Sequence, residues 1–110
     1  MSEVNQLQKQ LDDSKKLIER RRQAIRLSEN KDFKKLILEG FCVSDAASYV
    51  SASADPQLTL EQRADALNIA QAGGHLKRFL SVITQMGAVA ERDIANIEDA
   101  IVSARAEETE

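Results

Sequence analysis

The chain is poor in the residues that interrupt helices, bind metals or cross-link a fold. Among its 110 residues there is one proline, Pro56, and four glycines, Gly40, Gly73, Gly74 and Gly87, so few turns are obligatory. Cys42 is the only cysteine, which excludes an intramolecular disulfide and any multi-cysteine metal site. It lies among apolar neighbours in "EGFCVSD" and reads as a buried, inert thiol. His75 is the only histidine, so no H-E-x-x-H pattern exists, and it reads as a polar residue at a helix end. Tryptophan is absent, and Phe33, Phe41, Tyr49 and Phe79 are the full aromatic set. No apolar run approaches the ~20 residues that cross a bilayer. The start, "MSEVNQLQKQLDD", shows no apolar signal core, so a cytoplasmic protein without a membrane partner is expected.

Chemistry-bearing patterns are equally scarce. "QAGGHLKR" holds a glycine pair but matches neither G-x-x-x-x-G-K-[ST] nor G-x-G-x-x-G. The carboxylate pairs Asp12–Asp13, Glu91–Asp93, Glu98–Asp99 and Glu107–Glu108 fall on polar helix faces, where charge serves solubility. No catalytic residue, metal ligand or cofactor is assigned, and enzymatic activity is not expected.

What the chain does have is helix-forming residues in heptad order, 43% hydrophobic and 30% charged. From Val4 to about Ser28, apolar residues recur at Val4, Leu7, Leu11, Ile18 and Ile25, with Ser14 and Arg21 in the same seam. Leu17 and Ala24 flank it. Arg21 either selects a register against an acidic partner or reaches past the seam to water. Asn30 or Asp32 is placed to cap a short helix carrying Phe33, Leu36 and Ile37, with Gly40 as its terminator. Ser44 is read as the start of another helix, through about Ala54, stopped by Pro56. Thr59 and Gln62 form a T-x-x-Q capping box before the next helix. There Leu60, Ala64 and Leu67 line up, and Gly73-Gly74 is read as a kink or tight turn where the stripe changes phase. Then Leu76, Leu80, Ile83, Gly87, Ala90, Ile94, Ile97, Ile101 and Ala104 follow steps of four and three over four heptads. Phe79 and Met86 widen that stripe toward the middle helices. Gly87 and Ala90 remove bulk, letting another backbone approach.

Charge is uneven. Residues 1–40 carry ten Lys/Arg against seven Asp/Glu, and residues 41–110 five against eleven, giving +3 and -6. The run "KKLIERRRQAIR" holds six basic residues, of which Lys15, Lys16, Arg20, Arg22 and Arg26 are the candidate nucleic-acid contacts. They do not form one blade of the helix, and Asp12 and Glu19 interleave at salt-bridge spacing. Duplex-binding surfaces concentrate cations and leave carboxylates out. The run therefore reads as a solvated helix face.

The segments "NKDFKKLILEGF", "HLKRFLSVI" and "MGAVAERDIANIEDAI" resemble a group of small helical proteins of tailed bacteriophages, over residues about 20–105. Members of that group share a long N-terminal helix, a D-F-K-K-x-x-L-E-G-[YF] segment and an A-E-[RK]-type C-terminal helix. The resemblance transfers no active site and implies a small phage protein connected with particle assembly, present in the host cytoplasm or the virion. Cys42 and Gly73-Gly74 depart from the pattern.

These readings give an all-α chain: a coiled-coil-like helix over residues 1–29, a helical domain over 30–106 ending in a long amphipathic helix, and an acidic tail at 107–110. The seams exceed what one small core covers, so a homo-oligomeric bundle or coiled coil is expected, with Leu7, Leu11, Ile18, Ile25, Ile94, Ile97 and Ile101 at its interface. The expected function is protein binding or assembly, with a phage structural accessory, scaffold or assembly chaperone as its concrete form. A nucleic-acid-binding packaging subunit and an inhibitor of a host protein are the alternatives.

Overall fold

The computed structural model describes residues 2–109, and every element among them is helical. Helix α1 spans Glu3–Glu29, α2 Lys31–Phe33, a π-helix Lys34–Asp45, α3 Ala46–Ser53 and α4 Leu60–Glu108. Both expected long helices are present. Ser2 caps α1 by accepting a hydrogen bond from the Asn5 amide at 3.2 Å, and Asn30 caps α2 by accepting from the Phe33 amide at 2.9 Å.

The middle of the chain differs from the expectation of separate short helices. Lys34 and Ala46, at the junctions, both keep right-handed helical torsions, so α2, the π-helix and α3 follow one another without a break. Gly40 does not terminate a helix, because none of the described glycines has a positive φ. Ser44 does not cap one either; its carbonyl instead accepts from the Ser48 hydroxyl at 3.3 Å inside the continuing helix. The Ala46 amide donates to the Phe41 carbonyl five residues back, the wider π pattern. The real stop comes at Ser53, three residues before Pro56, and the Asp55 carboxylate then accepts from the Gln57 amide at 2.9 Å to hold the turn.

Helix α4 opens with the expected capping box. The Thr59 amide donates to Gln62 Oε1 at 3.0 Å, and the Gln62 amide donates to Thr59 Oγ1 at 3.1 Å. It then runs 49 residues through Gly73-Gly74 without a break, so the glycine pair makes no tight turn. The reason lies in the phase of its buried side. Leu60 and Leu67 are exposed, at 79% and 43%, and Ala64 is exposed with them. The residues turned inward are Ala66, Ala70 and Gly73. Ala66 and Gly73 stand two heptads and one heptad before Leu80, in the same column as Gly87, Ile94 and Ile101. One column therefore runs on through the glycine pair, carried in its first half by small residues, while its companion shifts from the line of Ala70 to that of Leu76, Ile83 and Ala90.

The chain divides into two compact units, Met1–Ala24 with Val82–Glu110, and Ile25–Ser81. The boundaries cut both long helices. In the second unit, Cys42 is buried and Gly73 packs on its backbone: a Cβ on Gly73 would lie 3.1 Å from Cys42 Cα. Gly73 lets the π-helix approach α4 this closely, and Phe33, Ile37, Phe41 and Tyr49 are half-buried in the same unit. Gly74 has open space where a Cβ would stand.

In the first unit, α1 and the C-terminal half of α4 form an antiparallel pair. Leu17 and Arg21 meet Gly87, while Leu11, Ile18, Ala90, Ile101 and Ala104 are buried within the same unit. A parallel pairing would leave Ile101 and Ala104, both at 5% exposure or less, with nothing from α1 to cover them. Each large apolar side chain so buried contributes about 1.5–3 kcal/mol. Within this unit the two apolar ridges cover one another in part: Leu11, Ile18, Ala90, Ile101 and Ala104 are buried, while Leu7, Ile94 and Ile97 are half-buried. Glu107 and Glu108 of the expected acidic tail continue α4, and Glu110 lies outside the described residues.

Candidate functional site

The chemistry of the first unit concentrates where α1 crosses Gly87. A Cβ on Gly87 would meet Arg21 Cβ at 2.2 Å and the Leu17 carbonyl oxygen at 2.8 Å, so only glycine permits this approach. Across the gap, Arg21 Nη1 donates to the Thr84 carbonyl at 2.9 Å, and Arg21 Nε lies 3.7 Å from Glu91 Oε1. The two uses considered for Arg21 are thereby separated: it is bound to α4 of its own chain. A one-residue slip would take the guanidinium away from both partners and put a side chain in the place of Gly87. Arg21 and Gly87 act together as a register lock. The Arg21–Glu91 pair alone contributes little, with Glu91 nearly half exposed, and the carbonyl bond supplies most of the specificity.

Beside this crossing lies an apolar groove lined by Leu17, Gln85, Met86 and Val89, with a volume of about 300 Å³. Leu17 is half-buried, whereas Met86 and Val89 are each 46% exposed and Val82, one heptad before Val89, is 39% exposed. Steps of four and three connect Val82, Met86 and Val89, a second heptad row beside the buried one. Met86 was expected to pack on the middle helices; it belongs to the other unit and lines this groove with Leu17. Phe79, expected to do the same, is 52% exposed. The row was legible as spacing in the sequence, but a wide stripe gives no sign of which part a single partner helix covers.

The residues expected to mediate self-association are placed as follows. Leu11, Ile18 and Ile101 are buried, and Leu7, Ile94 and Ile97 are half-buried, all in the first unit. Ile25 is half-buried in the second unit. Of the six in the first unit, the chain itself buries three and leaves three partly open. Lys15, Lys16, Arg20, Arg22 and Arg26 are all exposed along α1, and Arg22 lies 3.9 Å from Glu19 in an exposed i,i+3 pair. By helical spacing Lys15, Arg22 and Arg26 share one line of α1, and Lys16 and Arg20 lie around its side.

The second unit carries an open hollow of about 590 Å³ along the π-helix, lined by Asp32, Lys35, Leu36, Gly40 and Asp45. Leu36 in its wall is 71% exposed. Cys42 is a free, buried thiol. Among the described residues no group of three or more His, Cys, Asp or Glu could hold a metal ion, and no helix is long and apolar enough to cross a membrane.

The fold class is thus all-α, two long helices joined by a helical middle segment, with an apolar groove beside a glycine–arginine crossing. No protein-family model, curated protein or solved structure matches the chain.

Proposed function

We propose that this chain acts by binding: a helical assembly protein that offers an exposed apolar row on its long helix to another protein. The observation that carries this reading is the Val82–Met86–Val89 row. It stands open although the neighbouring heptad row, Ile83, Gly87 and Ala90, is buried. Leaving such side chains in water forgoes on the order of 25 cal/mol for each Å² of apolar surface, so an occupant gains what folding has left unused. The register lock gives the row a rigid support, which lowers the entropy lost on binding.

The concrete form of this role is a structural accessory, scaffold or assembly chaperone of a phage particle. The segments "NKDFKKLILEGF" and "MGAVAERDIANIEDAI" support it through their resemblance to small phage proteins. Expression of the particle proteins encoded beside this chain, with and without it, tests the role. Misassembled or fewer particles in its absence are expected. Unchanged particles, with the chain in neither particle nor intermediate, would exclude it.

A further inference from the structure

We infer that the π-helix Lys34–Asp45 is a two-state switch: its wide turns relax into an ordinary α-helix, which seats a second apolar face of the segment inward. The switch is independent of the binding role above and uses different residues. π-turns occur mostly as single-turn bulges, frequently at functional sites, whereas this one runs 12 residues. Its wide turn is visible in the side chains. Lys35, Gly40 and Asp45, at intervals of five, line one hollow. The inward line runs through Phe33, Leu38, Cys42 and Ala46, in steps of five, four and four. At 3.6 residues per turn, an α-helix would carry Ala46 about 220° around from Phe33. Only the π-turns bring these residues to one side.

The same segment holds a second apolar line that suits α geometry. Leu36, Gly40, Val43, Ala47 and Val50 follow steps of four, three, four and three. In an α-helix that line drifts by only about 40° from Leu36 to Val50. Here most of it stands outside: Leu36 is 71% exposed, Val43 and Val50 are each 52% exposed, and Ala47 is exposed with them. Seating it inward in an α-helix would place Phe41, Cys42 and Tyr49 on the outer side.

The two states are balanced by opposing terms. The aromatic side chains of Phe41 and Tyr49, half-buried in the π-state, favour the wide turn. Ordinary backbone geometry and the Leu36–Val43–Val50 line favour the α-helix. Gly73, which meets the Cys42 backbone, presents no side chain that would hold one rotation against the other. Two apolar lines of different period on one segment supply two packings of the same sequence, as fold-switching elements require.

Cys42 reports the exchange, because it is buried in the π-state and turned outward in the α-state. Alkylation of the folded chain by iodoacetamide, a neutral reagent, measures it, with urea unfolding of each variant alongside. The parent thiol is expected to react at least ~100-fold faster than global unfolding allows, at a rate insensitive to low urea, as for a local exchange. Leu36→Gln and Val50→Gln replace exposed side chains without adding charge near the thiol. Each should slow the reaction at least ~10-fold with the urea midpoint unchanged, since only the α-state buries these positions. Lys34→Gln, at an exposed position outside both apolar lines, should leave the rate as it is. Reaction only through global unfolding would overturn the switch. Fast reaction that neither Leu36→Gln nor Val50→Gln slows would overturn it too, and would assign the exposure of Cys42 to local fraying.

Discussion

Replacing Gly87 by alanine separates tertiary contact from helix propensity, because the two act in opposite directions. Alanine is favoured over glycine inside a helix by about 1 kcal/mol, so an isolated α4 would gain. In the folded chain the new methyl would stand 2.2 Å from Arg21 Cβ, whereas ordinary contact begins at 3.4 Å. The shortfall is 1.2 Å (3.4 minus 2.2), and it falls against the root of a side chain and the Leu17 backbone rather than a flexible end. The helices must separate locally, stretching the 2.9 Å bond from Arg21 to the Thr84 carbonyl. Overpacking of this kind costs about 1–3 kcal/mol, with the upper part of the range apt where backbone must move. The net effect is a loss of about 1–2 kcal/mol. Gly74→Ala is the control, since it adds a methyl to the same helix in open space and should gain about 1 kcal/mol. Urea denaturation followed by circular dichroism would place the variants on opposite sides of the parent, about 2–3 kcal/mol apart. If Gly87→Ala were stabilising like Gly74→Ala, α1 would not pack at Gly87 and the register lock would not exist.

Three further results are expected. Thr59→Ala removes one half of the capping box and should lower stability by about 1 kcal/mol, readable as a fall in melting temperature, whereas Thr59→Ser should retain most of it. Ile101→Ala opens a cavity in the helix pair and should lose about 2–5 kcal/mol in the same urea assay; a loss below ~0.5 kcal/mol would mean that Ile101 is not covered. In a gel-shift assay at physiological salt, duplex DNA should remain free, because Asp12 and Glu19 interleave with the basic residues of α1 and Arg22 is paired with Glu19. A salt-dependent shift abolished by Lys15→Glu with Arg22→Glu would instead assign nucleic-acid binding to this helix.

The residues explain why some features were readable in sequence and others were not. Capping is local: Thr59 and Gln62 can satisfy each other's amides wherever the helix lies, and Asn30 needs only the amide three residues on. The heptad seam from Leu76 to Ala104 was equally plain, as was the use of Gly87 for close approach. The glycine pair misled because large residues drew attention to the wrong side of α4. Leu60 and Leu67 look like a stripe, yet Ala66, Ala70 and Gly73 are the residues buried there, and at Gly73 the close approach of the Cys42 backbone excludes bulk. Gly40 and Ser44 misled for a related reason. A helix stops where its backbone partners run out, and the widened π-helix keeps supplying them through Asp45. Periodicity also says that a ridge must be covered but not which molecule covers it. The match between α1 and the far half of α4 depends on the middle segment returning the chain, which neither ridge encodes.

The most direct test is a distance measured inside one molecule of the helix pair. Spin labels at Asn5 and Ser103, both exposed, placed in a Cys42→Ala background and diluted into excess unlabelled protein, would report by pulsed electron resonance. Pairing within the chain predicts a distribution centred at ~20 Å, from axes about 10 Å apart with a label arm on each. A distribution beyond ~40 Å, as for helices splayed along their length at 1.5 Å per residue, would contradict it, as would a short distance that vanishes on dilution.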